Sequence, residues 1–415
     1  MLTDNRKKFI SALISAIISC LLFIVGFYLG ATHDVKPLSA LKEKQPKEVI
    51  SRENIEFQEL KPAIDVMNYI RERYIKEVPV DVLVQGAIKG MVQALGDPYS
   101  VFMDADEFQD FMISVNGSFE GVGLSLDIDE KTGSIIVIAP IEGTPAHKAG
   151  IRPRDRIVKV DDVELKGKTL DEAVKLLRGR KGTKVTVYIE RPGVKNLLKY
   201  ELVRDDIKLK TVKRDVLGDG IGYVKITSFD TYTPEEFNDA LVYLQQKGVK
   251  ALVLDLRNNP GGSLSAAAEV ADALMGKGLV VFTEDRYGHR LEEYYSDTAS
   301  LNIPLAVLIN ENSASAAEIV AGALQDTGRG VLVGKKTFGK GTVQELTPLN
   351  NGSGLKLTIA KYFLPSGRSI DGKGVEPNVE VAQGKTDNPF DLPPEKDEQL
   401  KKAIDILKTS VRAAN

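Results

Sequence analysis

The chain has 415 residues, more than one ordinary domain needs, and its 43% hydrophobic and 27% charged residues are typical of a folded soluble protein. A net charge of −3 gives no reason to expect nucleic acid, and the single cysteine, Cys20, excludes an intrachain disulfide and a multi-cysteine zinc site. None of the three histidines, His33, His147 and His289, stands beside an obvious nucleophile or carboxylate motif. If the protein is a hydrolase, we therefore expect its base not to be histidine.

The N-terminal region predicts a membrane anchor. The stretch from Phe9 to Ala31 has no charged residue and is long enough to span a hydrocarbon core of about 30 Å. Arg6, Lys7 and Lys8 precede it, which puts the N-terminus in the cytoplasm and the remaining chain across the cell membrane. The alternative is a cleaved signal peptide, but the apolar run is long for one and Leu29-Gly30-Ala31 is a poor cleavage site. We expect residues 1–31 to be a cytoplasmic stub with one transmembrane helix.

Two regions flank the expected domains. Residues 32–54 are polar, contain Pro37 and Pro46, and predict a linker. Residues 55–116 have helical apolar spacing that predicts two amphipathic helices separated near Pro79, the second ending at Gly96-Asp97-Pro98. Residues 387–415 predict another amphipathic helix, from Glu395 to Val411. Such helices commonly pack on a core or a second subunit, so a homodimer is one possible outcome.

Residues 117–204 predict a compact β-rich unit. Strands are indicated at 123–126, 135–139, 156–160 and 184–190, and a helix at 169–177. The unit resembles a PDZ domain because Gly121-Val122-Gly123-Leu124 leads into its first strand and Thr144–Gly150 follows the second. In such a domain a peptide adds to the edge of the first strand. The resemblance implies that backbone N–H groups at Gly121–Gly123 hold the terminal carboxylate of a peptide tail. The helix residues expected to line the groove are Leu170, Val174 and Leu177.

From residue 205 to 386 strands and helices alternate, which predicts an α/β core. Strands are indicated at 221–226, 251–255, 280–282, 305–309, 331–333 and 355–362, and helices at 234–246 and 263–275. Two turns each follow an apolar strand and open a helix, one at Pro260-Gly261-Gly262 and one at Ser313-Ala314-Ser315-Ala316. Backbone N–H groups at two helix starts can form an oxyanion hole, although each turn can also be purely structural.

Ser315 has two interpretations from its local sequence. A serine at a strand-to-helix turn is a common nucleophile, and Ser315–Glu318 also fits a capping box, in which serine caps the helix and glutamate reaches back. Ser313 is a rival for either role. Lys340, which lies between two glycines, is the candidate partner if it meets Ser315.

Several long motifs in order give the chain from about Leu60 to Val381 a strong resemblance to the C-terminal processing peptidases, the tail-specific serine proteases. They are GDPYS at 96–100, the PDZ-like unit, LDLRNNPGG at 254–262, SASAAEIVAGALQD at 313–326 and TFGKGTVQ at 337–344. The resemblance implies a crotonase/ClpP-like α/β core that uses a Ser–Lys dyad. It also implies that Ser315 is the nucleophile, Lys340 the general base and Gln344 the residue that positions the lysine. The implied oxyanion donors are the backbone N–H groups of Gly261, with Gly262 as a further candidate, and of Ala316.

The predicted function is that of a membrane-anchored serine endopeptidase, with no cofactor or metal, acting on proteins with apolar C-terminal tails. A free lysine is protonated at pH 7, so burial must lower the pKa of Lys340 before it can accept a proton. The apolar neighbours Phe338 and Val343 suit that requirement. The alternatives are a catalytically silent PDZ scaffold that binds tails outside the membrane and a different Ser–Lys hydrolase on a crotonase-like fold.

Overall fold

The structure is a computed structural model that describes residues 47–129, 132–297, 301–382 and 394–414. Its helices are α1 (Lys47–Arg73), α2 (Val80–Gln93), α3 (Ala105–Asn116), α4 (Pro145–Lys148), α5 (Leu170–Leu177), α6 (Thr233–Gln246), α7 (Leu264–Leu274), α8 (Ala316–Asp326) and α9 (Glu398–Ala414). Its strands are β1 (Val101–Met103), β2 (Ser118–Gly121), β3 (Leu124–Ile128), β4 (Ile135–Pro140), β5 (Arg156–Val160), β6 (Val163–Glu164), β7 (Lys184–Glu190), β8 (Leu198–Val203), β9 (Asp205–Lys208), β10 (Val212–Val216), β11 (Ile221–Ile226), β12 (Ala251–Asp255), β13 (Gly278–Glu284), β14 (Arg290–Ser296), β15 (Leu305–Ile309), β16 (Val331–Gly334), β17 (Thr342–Pro348), β18 (Gly354–Phe363) and β19 (Val379–Glu380).

The N-terminal part contains the two predicted helices, α1 and α2, and the chain divides into two compact units between Val84 and Gln85. Helix α1 begins at Lys47, so residues 47–54 of the predicted linker are helical instead. The predicted membrane span, Phe9 to Ala31, lies outside the described residues. Within the described ranges, no helix has both the length and the apolar character that crossing a bilayer requires.

The β-rich unit is an antiparallel sheet of order β3-β4-β5-β7-β8, with β6 beside β5. Helix α5 begins at a capping box in which Thr169 and Glu172 satisfy each other's backbone N–H groups. The chain enters and leaves this unit through the paired strands β2 and β9, with Ser118 opposite Lys208 and Gly121 opposite Asp205. The β-rich unit is therefore an insertion whose two ends are held side by side.

The α/β core contains a six-stranded sheet of order β10-β11-β12-β15-β16-β19, parallel except for β10. Strand β12 is buried on both faces, as its continuous apolar sequence predicts. Leu252 and Leu254 pack with α6, α7 and α8 on one face, whereas Ala251 and Val253 pack with α9 on the other. This arrangement confirms the predicted α/β layering.

A second sheet of the core, antiparallel and of order β1-β18-β13-β14 with β17 beside β18, packs on the far side of helices α7 and α8. Strand β17 carries Gln344 and begins two residues after Lys340, whereas Ser315 follows β15 of the first sheet. The sequence analysis did not predict β14 or β17. It also did not predict β1, which places residues from before the PDZ-like unit next to β18.

Candidate active site

A cleft of about 390 Å³ opens between the start of α8, the Gly261-Gly262 turn, strand β17 and helix α3. Neither His147 nor His289 lines it. The lining residues that carry the argument are Gly261, Gly262, Ser315, Ala316, Lys340 and Gln344. The six residues of the predicted catalytic site thus meet at one cleft, although they come from three separate stretches of the chain.

Ser315 lies at the strand-to-helix turn with a backbone that few L-residues adopt. Its φ is 54° and its ψ is −117°. Strain of this kind costs about 1–3 kcal/mol and is concentrated at functional sites. Ser313 is fully buried, and its hydroxyl donates to the carbonyl of Leu256 at 2.8 Å. Ser313 is therefore a structural residue of the turn, and Ser315 is the serine that reaches the cleft.

Glu318 connects the serine turn to the lysine loop. Its Oε2 atom accepts hydrogen bonds from the backbone N–H groups of Ser315 at 2.8 Å and of Lys340 at 2.9 Å. Its Oε1 atom accepts from Gly339 N at 2.7 Å and from the Thr337 hydroxyl at 2.5 Å. Burial raises the pKa of Glu318, and these four hydrogen bonds oppose that effect. One fully buried carboxyl group thus fixes the two backbone segments relative to each other.

The surroundings of Lys340 shift its protonation toward the neutral amine. Burial and, to a smaller extent, the charge of Lys356 lower the pKa of its ammonium, while Asp97 and Glu318 act in the opposite direction. Within the described part of the chain, no hydrogen bond joins Lys340 Nζ to Ser315. Nζ lies instead 4.7 Å from the centre of the Tyr99 ring. The two side chains line one cleft without a hydrogen bond between them among the described residues.

The Gly261-Gly262 turn lies directly against the serine turn. A Cβ atom on Gly261 would be 2.7 Å from Ser315 Cβ, and the backbone N–H of Ala314 donates to Asn259 O at 2.9 Å. The N–H of Gly261 already donates to Asn259 Oδ1 at 2.8 Å, so the implied role of Gly261 as an oxyanion donor does not fit this conformation. Among the described residues, the N–H groups of Gly262 and Ala316 have no acceptor. These two groups are the available donors.

Gln344 lines the cleft without contacting the lysine through a hydrogen bond. Its Nε2 atom donates to the hydroxyls of Thr342 at 2.9 Å and Thr358 at 3.2 Å. Strands β17 and β18 pair with a register shift next to Gln344, which accounts for its turning toward the Thr358 hydroxyl. In this conformation Gln344 holds β17 and β18 together and does not orient Lys340.

A buried ionic cluster lies just before the Gly261-Gly262 turn. Arg257 contacts Asp255 and Asp397, each at 2.7 Å, and Tyr223 donates to Asp255 at 2.7 Å. Burial would raise the pKa of Asp255, but the charge of Arg257 lowers it on balance. Because Asp397 directly precedes α9, the cluster ties the C-terminal helix to the segment that leads into the cleft.

The PDZ-like unit has a groove of about 260 Å³ beside the free edge of β3. Gly121, Val122, Gly123, Leu124, Val174 and Leu177 line it, as predicted. Leu170 does not; it lies one turn earlier on α5 and packs against the core of the unit. The side chain of Val122 is itself buried, so only its backbone is available to a peptide.

Helix α3 lies between the groove of the PDZ-like unit and the cleft that contains Ser315. Its Asp106 pairs with Lys175 of α5 at 2.7 Å, and its Asp110 pairs with Arg178, which lines the groove. The same helix contributes Phe111, Ser114 and Val115 to the lining of the catalytic cleft.

Comparisons with known proteins agree with this architecture. Models of peptidase family S41, of a PDZ domain and of the N-terminal domain of the activating protease CtpB match residues 220–381, 136–191 and 22–107. The carboxy-terminal-processing protease of Bartonella bacilliformis is 39% identical over 87% of this chain and 82% of that protein. The chain belongs to peptidase family S41.

The chain spans just under two thirds of one further relative and most of another. The carboxy-terminal processing protease CtpA of Bacillus subtilis is 41% identical over 75% of this chain, which spans 66% of that protein. The solved photosystem II D1 C-terminal processing protease is 34% identical, with 80% of this chain and 89% of that one covered and a TM-score of 0.47.

Three residues that contact the cleft residues had no part in the predicted catalytic site. Tyr99 lies in the GDPYS motif and Asn259 in LDLRNNPGG, so the motifs mark both positions without showing what they contact. Glu318 was recognised as a capping-box residue, and its hydrogen bond to Ser315 N matches that half of the motif. Its bonds to the lysine loop come from tertiary structure.

Proposed function

We propose that this S41 protein is a serine endopeptidase in which Ser315 is the nucleophile and Lys340 the general base. The observation that carries the proposal is the position of both side chains on one cleft, with their backbones bonded to the same Glu318 oxygen. The environment that lowers the pKa of Lys340 supports its role as a base.

In the proposed reaction, neutral Lys340 Nζ turns away from Tyr99 and accepts the proton of Ser315 Oγ as that oxygen attacks the scissile carbonyl. The N–H groups of Gly262 and Ala316 stabilise the resulting oxyanion. The lysine ammonium then protonates the leaving amine, which gives an acyl-enzyme. Water hydrolyses this ester, with its proton passing to Lys340 and then back to Ser315.

The test compares Ser315→Ala and Lys340→Met with Lys336→Met. Lys336 is an exposed lysine close in sequence that pairs with Glu376 at 2.8 Å, so its loss should leave turnover unchanged. We expect both cleft variants to lose cleavage of a peptide with an apolar C-terminus by at least about 10³-fold while keeping wild-type circular dichroism. Full proteolysis by Ser315→Ala would refute the proposal. If the wild type binds tails without cleaving them, the silent PDZ scaffold is the correct function.

We further propose that the PDZ-like unit binds the C-terminal tail of the substrate. Cleavage then occurs at or near that C-terminus. The free edge of β3 supports this, and so do the N–H groups of Val122 and Gly123, which have no acceptor among the described residues. Because α3 contacts α5 and also lines the catalytic cleft, tail binding can change access to Ser315. A peptide with a free C-terminal carboxylate should bind, and its amidated form should bind much more weakly. Equal binding of the two would contradict the carboxylate assignment.

Anchoring by residues 9–31, with the catalytic part outside the cell membrane, is also a proposal. We expect the full chain to resist alkaline extraction from membranes and to be digested by protease added to intact spheroplasts. Protection from that protease would reverse the topology. A homodimer, proposed from the amphipathic helices, would appear as doubled mass in sedimentation.

A further inference from the structure

The amine of Lys340 lies over the ring of Tyr99, a residue from the region before the PDZ-like unit. Lys340 Nζ lies 4.7 Å from the centre of the Tyr99 ring, within the range of a cation–π interaction. Ser315 and Gln344 make no hydrogen bond to Nζ in the described residues. Tyr99 therefore has the contact that the family resemblance implies for Gln344.

The backbone around Tyr99 is firmly held. Asp97 Oδ1 accepts from the N–H of Tyr99 at 3.0 Å, and Asp97 Oδ2 accepts from the Ser100 hydroxyl at 2.6 Å. The Ser100 oxygen in turn accepts from the N–H of Thr358 on β18 at 3.0 Å. Ser100 is buried, and the next residues form β1, which pairs with β18. The Tyr99 ring is thus attached to the same sheet that carries the lysine loop.

We propose that Tyr99 is a positioning residue that holds the protonated form of Lys340 on its ring, away from Ser315, until the lysine loses its proton. The face of an aromatic ring attracts an ammonium but not a neutral amine. Deprotonation therefore releases Nζ for a turn toward the serine. The inference rests on the proposed function, because it assumes that Lys340 is the base.

Other groups around Lys340 also affect its protonation. They are Asp97 in the loop before β1, Lys356 on β18, Glu318 on α8 and the phenol of Tyr362 on β18, which donates to Lys340 O. Burial raises the pKa of Tyr362 well above its usual value, so this phenol stays neutral at working pH. Since a substitution at Tyr99 removes none of these groups, its effect on the titration of Lys340 reports the ring itself.

The experiment measures kcat/KM against pH for three replacements of Tyr99 in the full chain. Tyr99→Phe keeps the ring and is the matched control. Tyr99→Leu removes the ring, and 3,4,5-trifluorophenylalanine keeps its shape while removing the negative potential of its face. The acidic limb of the plot of kcat/KM against pH reports the pKa of the catalytic base in the free enzyme. The fluorinated variant keeps the test valid if Tyr99→Leu folds poorly.

We expect Tyr99→Phe to match the wild type, and the leucine and fluorinated variants to shift the acidic limb to lower pH by about half a unit or more. The direction follows because the ring favours the charged form of Lys340, so its removal lowers the pKa of the lysine. Half a unit corresponds to ~0.7 kcal/mol, which is the size of a partly exposed cation–π contact. Activity well below the limb should rise about threefold.

An unshifted limb in the fluorinated variant, or an equal shift in Tyr99→Phe, would overturn the inference. Lys340→Met separates this failure from failure of the proposed function. If Lys340→Met is inactive and the limb does not shift, only the role of Tyr99 is wrong. If Lys340→Met still cleaves peptide, the lysine is not the base, and both the proposed function and the role of Tyr99 are wrong.

Discussion

Replacing Gly261 by alanine tests whether the oxyanion turn must lie against the serine turn. The added Cβ would lie 2.7 Å from Ser315 Cβ, 2.8 Å from Ala314 O and 3.0 Å from Ala316 N. Ordinary contacts of this kind are about 3.5–4.0 Å, so the two turns must separate by about 1 Å. A displacement of that size lowers the reaction rate by about 10²-fold, and loss of an oxyanion donor lowers kcat by about 10²–10³-fold.

We therefore expect Gly261→Ala to lower kcat by about 10²–10³-fold, measured with saturating fluorogenic peptide. Its φ of 102° adds strain of about 1–2 kcal/mol, which urea unfolding should detect without loss of the fold. Gly276→Ala is the control, since a Cβ there meets no atom within 4 Å. If Gly261→Ala cleaves within about threefold of the wild type, the turn does not face the reacting carbonyl.

Three further predictions concern the buried ionisable groups. Glu318→Gln should lower kcat by about 10²-fold at unchanged peptide affinity. The four donors to Glu318 use both of its carboxylate oxygens, whereas the amide of glutamine has a single acceptor oxygen. Wild-type turnover in this variant would contradict the prediction. Folding lowers the pKa of Lys340, so burying the protonated lysine costs folding stability. This cost is fully present below the folded pKa and disappears as pH rises toward the pKa of an unfolded lysine. Lys340→Met should thus unfold at higher urea than the wild type at pH 7, and the gap should narrow by pH 10; a constant gap would refute the linkage. Asp397→Ala should lower the free energy of unfolding by about 2–3 kcal/mol because Arg257 stays buried with one partner fewer, whereas Lys401→Ala, at an exposed pair, should change it by less than about 1 kcal/mol; equal effects would argue against the buried cluster.

The sequence predicts well those elements that carry their own signal. Strands β11, β12 and β15 begin and end at the predicted residues. In β12 and β15 an apolar run bounded by turn residues defines a buried parallel strand. Helix α5 also matches closely, since Thr169 and Glu172 form the cap that its sequence indicates.

What the sequence does not predict depends on contacts between distant segments. Strand β14 reads as a charged loop and is held by its pairing with β13. The bonds of Glu318 to the lysine loop, the contact of Tyr99 with Lys340 and the occupied N–H of Gly261 all join residues by tertiary packing or by a specific rotamer. A motif identifies such positions but not their partners.

The pairing of β1 with β18 limits how the protein can be divided. A fragment from residue 205 onward would contain Ser315 and Lys340 but would leave one edge of β18 unpaired where Val101–Met103 belongs. Exposed strand edges favour aggregation. We therefore expect a fragment that begins at residue 205 to aggregate, so the peptidase part depends on residues that precede the PDZ-like unit in the chain.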